Sequence, residues 1–395
     1  MLRTFLEDHS QKNKLKKSLY QLIHRYGVIS KVDLINEMNI PQTTLNRMLR
    51  DLEEKGLIRL CGYGESSGGR PPVLYEAIPN ASYVIGIEIA RTHVNIILQN
   101  IKFELIDQEY FTMTNEHTSE KTLNNVIEII HSLLVKYSLD IDMIVGIGVG
   151  AVGPLNRESG IILTPDAFLA EGWGNVKISS MLTSEFPVPI VLNNAANTAA
   201  LAEYKISNSN DEDILYCISG YGLRCGFINK GRFLNIREGD ASSFGHMIIE
   251  PNGRKCSCGK RGCVNAYVSF HAIFKCIEET LENEKDNFLL NIQGIEDLLG
   301  SLNCKEDVVR QIVLRSGYFY GLAIANMINI LHPSTVILQG KLISHSNEYY
   351  NHVVKTAEEH IYTVSSSKVL IKKGELGENA PAIGAAMEVF YSLFD

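Results

Sequence analysis

Over the first eighty residues the apolar positions repeat at helical spacing. In "NKLKKSLYQLIHRYG" the side chains Leu15, Leu19, Leu22 and Ile23 fall on one face of a helix, and Gly27 supplies a stop. "ISKVDLINEMNI" starts a second helix, with Ser30 as its N-cap and Asp33 three residues on. After the turn "MNIPQ", the segment "PQTTLNRMLRDLEEKGLI" predicts a third helix that turns Leu45, Met48, Leu49 and Leu52 inward. "LIRLCGYGESSGGRPPVLYEAI" then reads as two strands around a glycine-rich tip. Helix, turn, helix and a two-stranded wing make residues 1–79 a winged helix-turn-helix.

From Tyr83 the pattern changes to buried strands separated by helices: "YVIGIEIA", "VNIILQN", "MIVGIGVGAVGP" and "PIVLNNAAN". A second strand set follows in "ILYCISGYG" and "RCGFINKGRF", then helical stretches, then the late strand "STVILQG". Twice, about 130 residues apart, an apolar strand runs through a bend into another strand, first in "GIEIARTHVNII" and again in "SGYGLRCGFINKGRF". Two similar α/β lobes, each offering a bend to a shared cleft, are the plan of an actin-like (ribonuclease H-like) ATPase-type body. The expected boundaries are 80–195 for the first lobe, with a C-terminal helix of about 382–395 returning to it, and 196–381 for the second.

Composition narrows the setting. The 395 residues are 45% hydrophobic, and no apolar run approaches the length of a membrane span. The N-terminal stretch "MLRTFLEDHSQKNKLKKSLYQ" is charged throughout, unlike a secretory signal. Eight scattered cysteines fit a reducing cytoplasm better than a disulfide scaffold. A cytoplasmic protein with no membrane partner is therefore expected. The net charge of −8 hides an asymmetry: residues 1–79 hold 12 Lys and Arg against 9 Asp and Glu, whereas the remainder holds 25 against 36.

A basic head on an acidic body points the head at a polyanion. The open face of its third helix carries Gln42, Thr43, Thr44, Asn46, Arg47 and Arg50. Arg47 and Arg50 suit phosphates or guanine, and Gln42 and Asn46 suit adenine, so a double-stranded DNA operator is the expected partner. Gly69-Arg70-Pro71 resembles the core of minor-groove hooks, in which an arginine enters a narrow A·T-rich groove.

The stretch "GHMIIEPNGRKCSCGKRGC" concentrates one histidine and three cysteines within nineteen positions. It matches the Gly-His, loop, Cys-x-Cys-Gly-x-x-Gly-Cys signature of the ROK family (repressors, open reading frames, sugar kinases). "NMINILHPSTVILQG" and "GENAPAIGAA" resemble the family's late motifs. The winged helix makes nearly the whole chain look like the family's xylose- and N-acetylglucosamine-type repressors. Read chemically, His246, Cys256, Cys258 and Cys263 are a soft, closed set suited to tetrahedral zinc. Four protein ligands leave no open position, so the expected Zn2+ is structural and a zinc hydrolase is disfavoured. Cys61, Cys217, Cys225, Cys276 and Cys304 are read as core or incidental.

The resemblance also marks departures. The family's general base is the aspartate of Asn-Asp-Ala-Asn, and alignment through "AALAE" puts Ala195 there, or Asn194 after a one-residue shift. Neither takes a proton from a sugar hydroxyl. The phosphate loops Asp-x-Gly-Gly-Thr and Gly-Thr-Gly-x-Gly-x-Gly have become Glu88-Ile89-Ala90-Arg91-Thr92 and Gly220-Tyr221-Gly222-Leu223-Arg224-Cys225-Gly226. Bulky replacements there block backbone N–H groups from closing on phosphate. Arg91 and Arg224 are expected to fill the space and to pair with acids such as Glu88.

Two carboxylates that grip sugar in the family are replaced by Ser243 and Asn265, and the sugar loop "TPDAFLAEGWGN" brings Asp166 and Trp173. The expected effector residues are thus Asp166, Asn194, Ser243, His246, Asn265, Arg91 and Arg224. The ligand is a sugar or, since carboxylates have gone, a sugar phosphate; a vestigial pocket is the competing idea. The resulting expectation is a sugar-responsive repressor of carbohydrate-metabolism genes, a homodimer or tetramer without enzymatic activity. The alternative is an active ATP-dependent sugar kinase with an appended DNA-binding domain.

Overall fold

The computed structural model describes residues 2–8, 10–65, 71–165, 168–207, 213–234, 241–284, 294–303, 307–362 and 369–394. It divides into two compact units. One comprises Met1–Val152, Arg157–Ala195 and Ala382–Asp395, and the other Gly153–Asn156 and Ala196–Pro381.

The first unit begins with the helices Leu2–Glu7, Gln11–Tyr26, Lys31–Met38 and Gln42–Glu54. Local chemistry sets their ends. The Ser30 hydroxyl accepts the Asp33 N–H at 3.1 Å and donates to the Asp33 carboxylate at 2.6 Å, closing a reciprocal N-cap. Leu45, Met48, Leu49 and Leu52 are all buried, as their spacing predicts. Strand Val73–Ala77 pairs antiparallel with both Ile29–Ser30 and Ile58–Tyr63, completing the winged helix. Arg70 and the rest of the wing tip, residues 66–70, lie outside the described residues.

One expectation differs. Leu15 is 41% exposed, and helix Gln11–Tyr26 instead buries Leu19, Tyr20 and Ile23. The reason is tertiary. Tyr20 faces Phe394 and His24 faces Phe390 near the C-terminal end of the chain, so the buried stripe rotates away from Leu15.

The sheet of the first lobe has the order Ile190–Asn194, Ile144–Ala151, Tyr83–Ile89, His93–Asn100, Leu105–Thr112. Its last three strands form an antiparallel meander, extended by two parallel strands. In the second unit the order is Leu370–Lys373, Thr335–Gln339, Ile214–Ile218, Arg224–Asn229, Arg232–Phe233, with the same pattern of directions. Each sheet thus repeats one five-strand topology, the duplicated unit of an actin-like body. The helix Ala380–Ser392 packs its backbone against the first sheet. A Cβ on Gly86 would collide with the Ala382 carbonyl, and one on Gly148 with the Ala385 carbonyl. In the second unit, Tyr320, Ile324 and Met327 of helix Asp307–Leu331 share a core with Leu215, Cys217, Val336 and Leu338. Among the described residues no helix is long and apolar enough to cross a membrane.

Candidate metal centre and nucleic-acid face

His246 ends a short helical turn, Ala241–His246, and the three cysteines follow on a knuckle closed by backbone hydrogen bonds. Cys256 N–H donates to Lys260 O at 2.8 Å, Gly259 N–H to Cys256 O at 3.0 Å, and Gly262 N–H to Arg254 O at 2.9 Å. Gly262, at φ 77°, sits where a Cβ would strike the Glu250 carbonyl, so the curl requires glycine there. The four candidate ligand atoms lie within 4.8 Å of one another. His246 Nδ1 stands 3.7 Å from Cys256 Sγ, and Cys258 Sγ 3.7 Å from Cys263 Sγ.

A tetrahedral ion with metal–sulfur bonds of about 2.3 Å separates neighbouring sulfurs by about 3.8 Å, so the side chains are spaced to hold a metal ion of that geometry. Burial, and then the adjacent Cys258 thiol, push the Cys263 thiol up to about 12.

The residue after this knuckle, Asn265, turns its amide toward the bend of the neighbouring hairpin. Its Oδ1 accepts the Leu223 N–H at 2.8 Å, and a Cβ on Gly245 would overlap its amide. Asn265 therefore ties the metal knuckle to the loop that precedes Arg224. Arg224 is half-buried at the start of its strand, and Ser243 is exposed on the turn that carries His246. Sequence reasoning missed the Asn265–Leu223 bond because its partners are 42 positions apart and one of them is backbone.

In the first lobe, Glu88 is buried, and His93 Nε2 stands 3.4 Å from its carboxylate; the His93 ring stacks on Tyr110 at 5.1 Å. The sequence pointed to Arg91, which is half-buried in the bend; the histidine at the start of the returning strand went unread. Asn194 ends strand Ile190–Asn194, and Ala195 opens helix Ala195–Ile206; both are buried. Asp166 lies outside the described residues. Trp173 is buried against Phe168, with ring centroids 4.1 Å apart, and donates its indole N–H to His117 O at 3.2 Å. It is a core side chain and offers no open face to a sugar.

On helix Gln42–Glu54 of the head, Gln42, Thr43, Asn46, Arg47 and Arg50 are exposed and Thr44 is half-buried. They form a polar stripe opposite the buried leucines, of the size and chemistry a major groove accepts.

Residues 84–389 match the model of the ROK family, and residues 12–59 match a winged helix-turn-helix DNA-binding model. The xylose repressor of Bacillus subtilis (strain 168) is 25% identical over 394 residues, covering 100% of this chain and 98% of its own length. Among solved structures, a ROK family transcriptional regulator, homolog of the E. coli MLC protein, superimposes with a TM-score of 0.79 at 21% identity, over 99% of this chain and 97% of its own. A ROK family glucokinase from Streptomyces griseus, in complex with glucose and AMPPNP, gives a TM-score of 0.65 at 20% identity, over 78% of this chain and 99% of its own.

Proposed function

Since the chain belongs to the ROK family, we propose that it is a sugar-responsive transcriptional repressor of carbohydrate-metabolism genes whose body senses a ligand and transfers no phosphate. The observation that carries this reading is the junction Asn193–Asn197. There the strand passes into its helix through Asn193, Asn194, Ala195, Ala196 and Asn197, none of them a carboxylate, and alignment with the family's Asn-Asp-Ala-Asn puts the expected proton acceptor at Ala195 or Asn194. The exposed polar stripe of the head and the full-length similarity to a xylose repressor support the other half.

In this reading two heads of a homodimer or tetramer sit on successive half-sites of a pseudo-palindromic operator. Gln42, Thr43, Thr44, Asn46, Arg47 and Arg50 meet the major groove, and Arg70 meets the minor groove. Effector recognition falls in the first lobe to Asn194, Arg91 and Asp166, and in the second to Ser243, His246, Asn265 and Arg224. Those arginines, with neutral residues at the former carboxylate positions, favour an anionic sugar derivative over a neutral sugar. Zinc would be held by His246, Cys256, Cys258 and Cys263, and with four protein ligands it supplies structural cross-linking. His246 turns Nδ1 to the thiols, which leaves Nε2 for an effector hydroxyl.

The test has two arms. Genome-wide capture with the purified chain is expected to enrich palindromic sites beside sugar-utilisation genes. A coupled ADP-release assay over a hexose and pentose panel is expected to show no turnover. Turnover on any of these sugars would establish the kinase alternative, and a chain that enriches no sequence would remove the repressor.

A further inference from the structure

Resting on the sensor reading above, we propose that Glu388, on the C-terminal helix Ala380–Ser392, is the positioning residue that couples the strand end Asn193–Asn194 to the winged helix. The observations form a continuous path within the first unit. Asn193 is fully buried and uses both ends of its amide: Oδ1 accepts the Asn194 backbone N–H at 2.8 Å, and Nδ2 donates to Glu388 Oε1 at 2.7 Å. Arg157 Nη2 reaches the same carboxylate oxygen at 3.1 Å. A carboxylate so enclosed depends on each donor, because removing one leaves a buried charge under-compensated. A change in the backbone at Asn194 therefore reaches the helix through the Asn193 amide and the Glu388 carboxylate.

Beyond Glu388 the helix grips the head. Phe390 lies 4.6 Å from the His24 ring, Tyr391 6.0 Å from it, and Phe394, just past the helix, stacks on Tyr20 at 6.2 Å and 9°. His24 Nε2 is also 2.5 Å from the Ile101 carbonyl. Leu2, Phe5, Leu6 and Ile23 of the head share one core with Val84, Val145, Ala386 and Phe390. At its other end the helix rests backbone-to-backbone on the sheet at Gly86 and Gly148, so it has no soft side-chain layer in which to absorb a displacement. An element clamped at the sheet and packed into the head moves as one piece, which is what a transmitter between two sites requires.

The experiment uses the full chain and the variants Glu388→Gln, which keeps size and loses charge, and Phe390→Leu, which loosens the other half of the path. Hydrogen exchange needs no ligand. In Glu388→Gln, protection is expected to fall about tenfold both at Asn194 and in helix Gln11–Tyr26, with the knuckle 246–264 unchanged; Phe390→Leu should loosen the head and leave Asn194 alone. A Glu388→Gln chain whose head amides exchange as in the wild type overturns the coupling.

The second measurement uses a duplex that the wild type selects from a random pool, with D-glucose 6-phosphate as the anionic probe sugar. Wild-type duplex affinity is expected to fall about tenfold with D-glucose 6-phosphate, within the usual range of such couplings. Glu388→Gln should bind duplex and sugar within about threefold of wild type yet show less than a threefold sugar effect. A full-sized effect in that variant overturns the proposal. A wild type that selects no duplex sinks the repressor reading instead. If D-glucose 6-phosphate leaves the wild-type affinity unchanged, the exchange result alone decides the coupling.

Discussion

Glu203 illustrates what single side chains decide. It is buried on helix Ala195–Ile206, where its Oε1 accepts the Leu376 N–H at 3.0 Å, and burial pushes its carboxyl above the ordinary value of 4.5. A carboxyl raised on folding binds its proton more tightly in the native state. Its contribution to stability is therefore full below the unfolded value and is lost as pH rises through the folded one. Glu203→Gln removes that loss. In urea denaturation the variant should gain on wild type as pH rises above the ordinary carboxyl value of 4.5, by about 1.4 kcal/mol for each pKa unit of displacement. A difference that stays constant with pH would refute the assignment. The sequence displayed Glu203 within "AALAE" without revealing its partner, because the partner is a backbone N–H 173 positions away. The cluster that could hold a metal was legible for the opposite reason: His246, Cys256, Cys258 and Cys263 are neighbours in the chain, so their spacing already encodes the knuckle.

At the scale of elements, helical and strand periodicity located the winged helix and both strand sets, while packing between elements escaped it. Leu15 lies on the face that Leu19 and Ile23 share in sequence, yet it is exposed because the far end of the chain claims Tyr20 and His24. The glycines of "IVGIGVGA" were read only as part of a buried strand. The structure gives Gly148 a purpose, since the Ala385 carbonyl occupies the space a side chain would need. Gly148→Ala should destabilise the first unit by about 1–3 kcal/mol, the usual cost of overpacking, in calorimetry or urea unfolding. The knuckle makes a separate prediction. Metal analysis should find one zinc per chain, and a strong chelator should raise hydrogen exchange across 246–264 and, through Asn265, at the Leu223 amide. Cys258→Ser should do the same without chelator. Unchanged protection at Leu223 after metal loss would sever the link that Asn265 makes.

For the whole molecule, charge decides how the parts meet a duplex. The body carries 25 cationic against 36 anionic side chains and repels DNA, so attraction falls to the 12 cations against 9 anions of residues 1–79. An excess this small cannot hold DNA by bulk electrostatics; it works only if particular cations stand on phosphates, each releasing about 0.9 counterion. Arg47 and Arg50 are the exposed cations on helix Gln42–Glu54, the helix proposed to enter the groove. Equilibrium binding measured between about 50 and 200 mM salt separates their roles. If Arg50 rests on phosphate, Arg50→Ala lowers the slope of log affinity against log salt by about 1 for each head bound, and weakens all duplexes alike. If Arg47 instead reads guanine, Arg47→Ala costs about 1–3 kcal/mol on the selected duplex and little on a scrambled one. Neither loss would appear if the head met DNA through another surface, because the stripe Gln42–Arg50 would then stay in water and both substitutions would be silent.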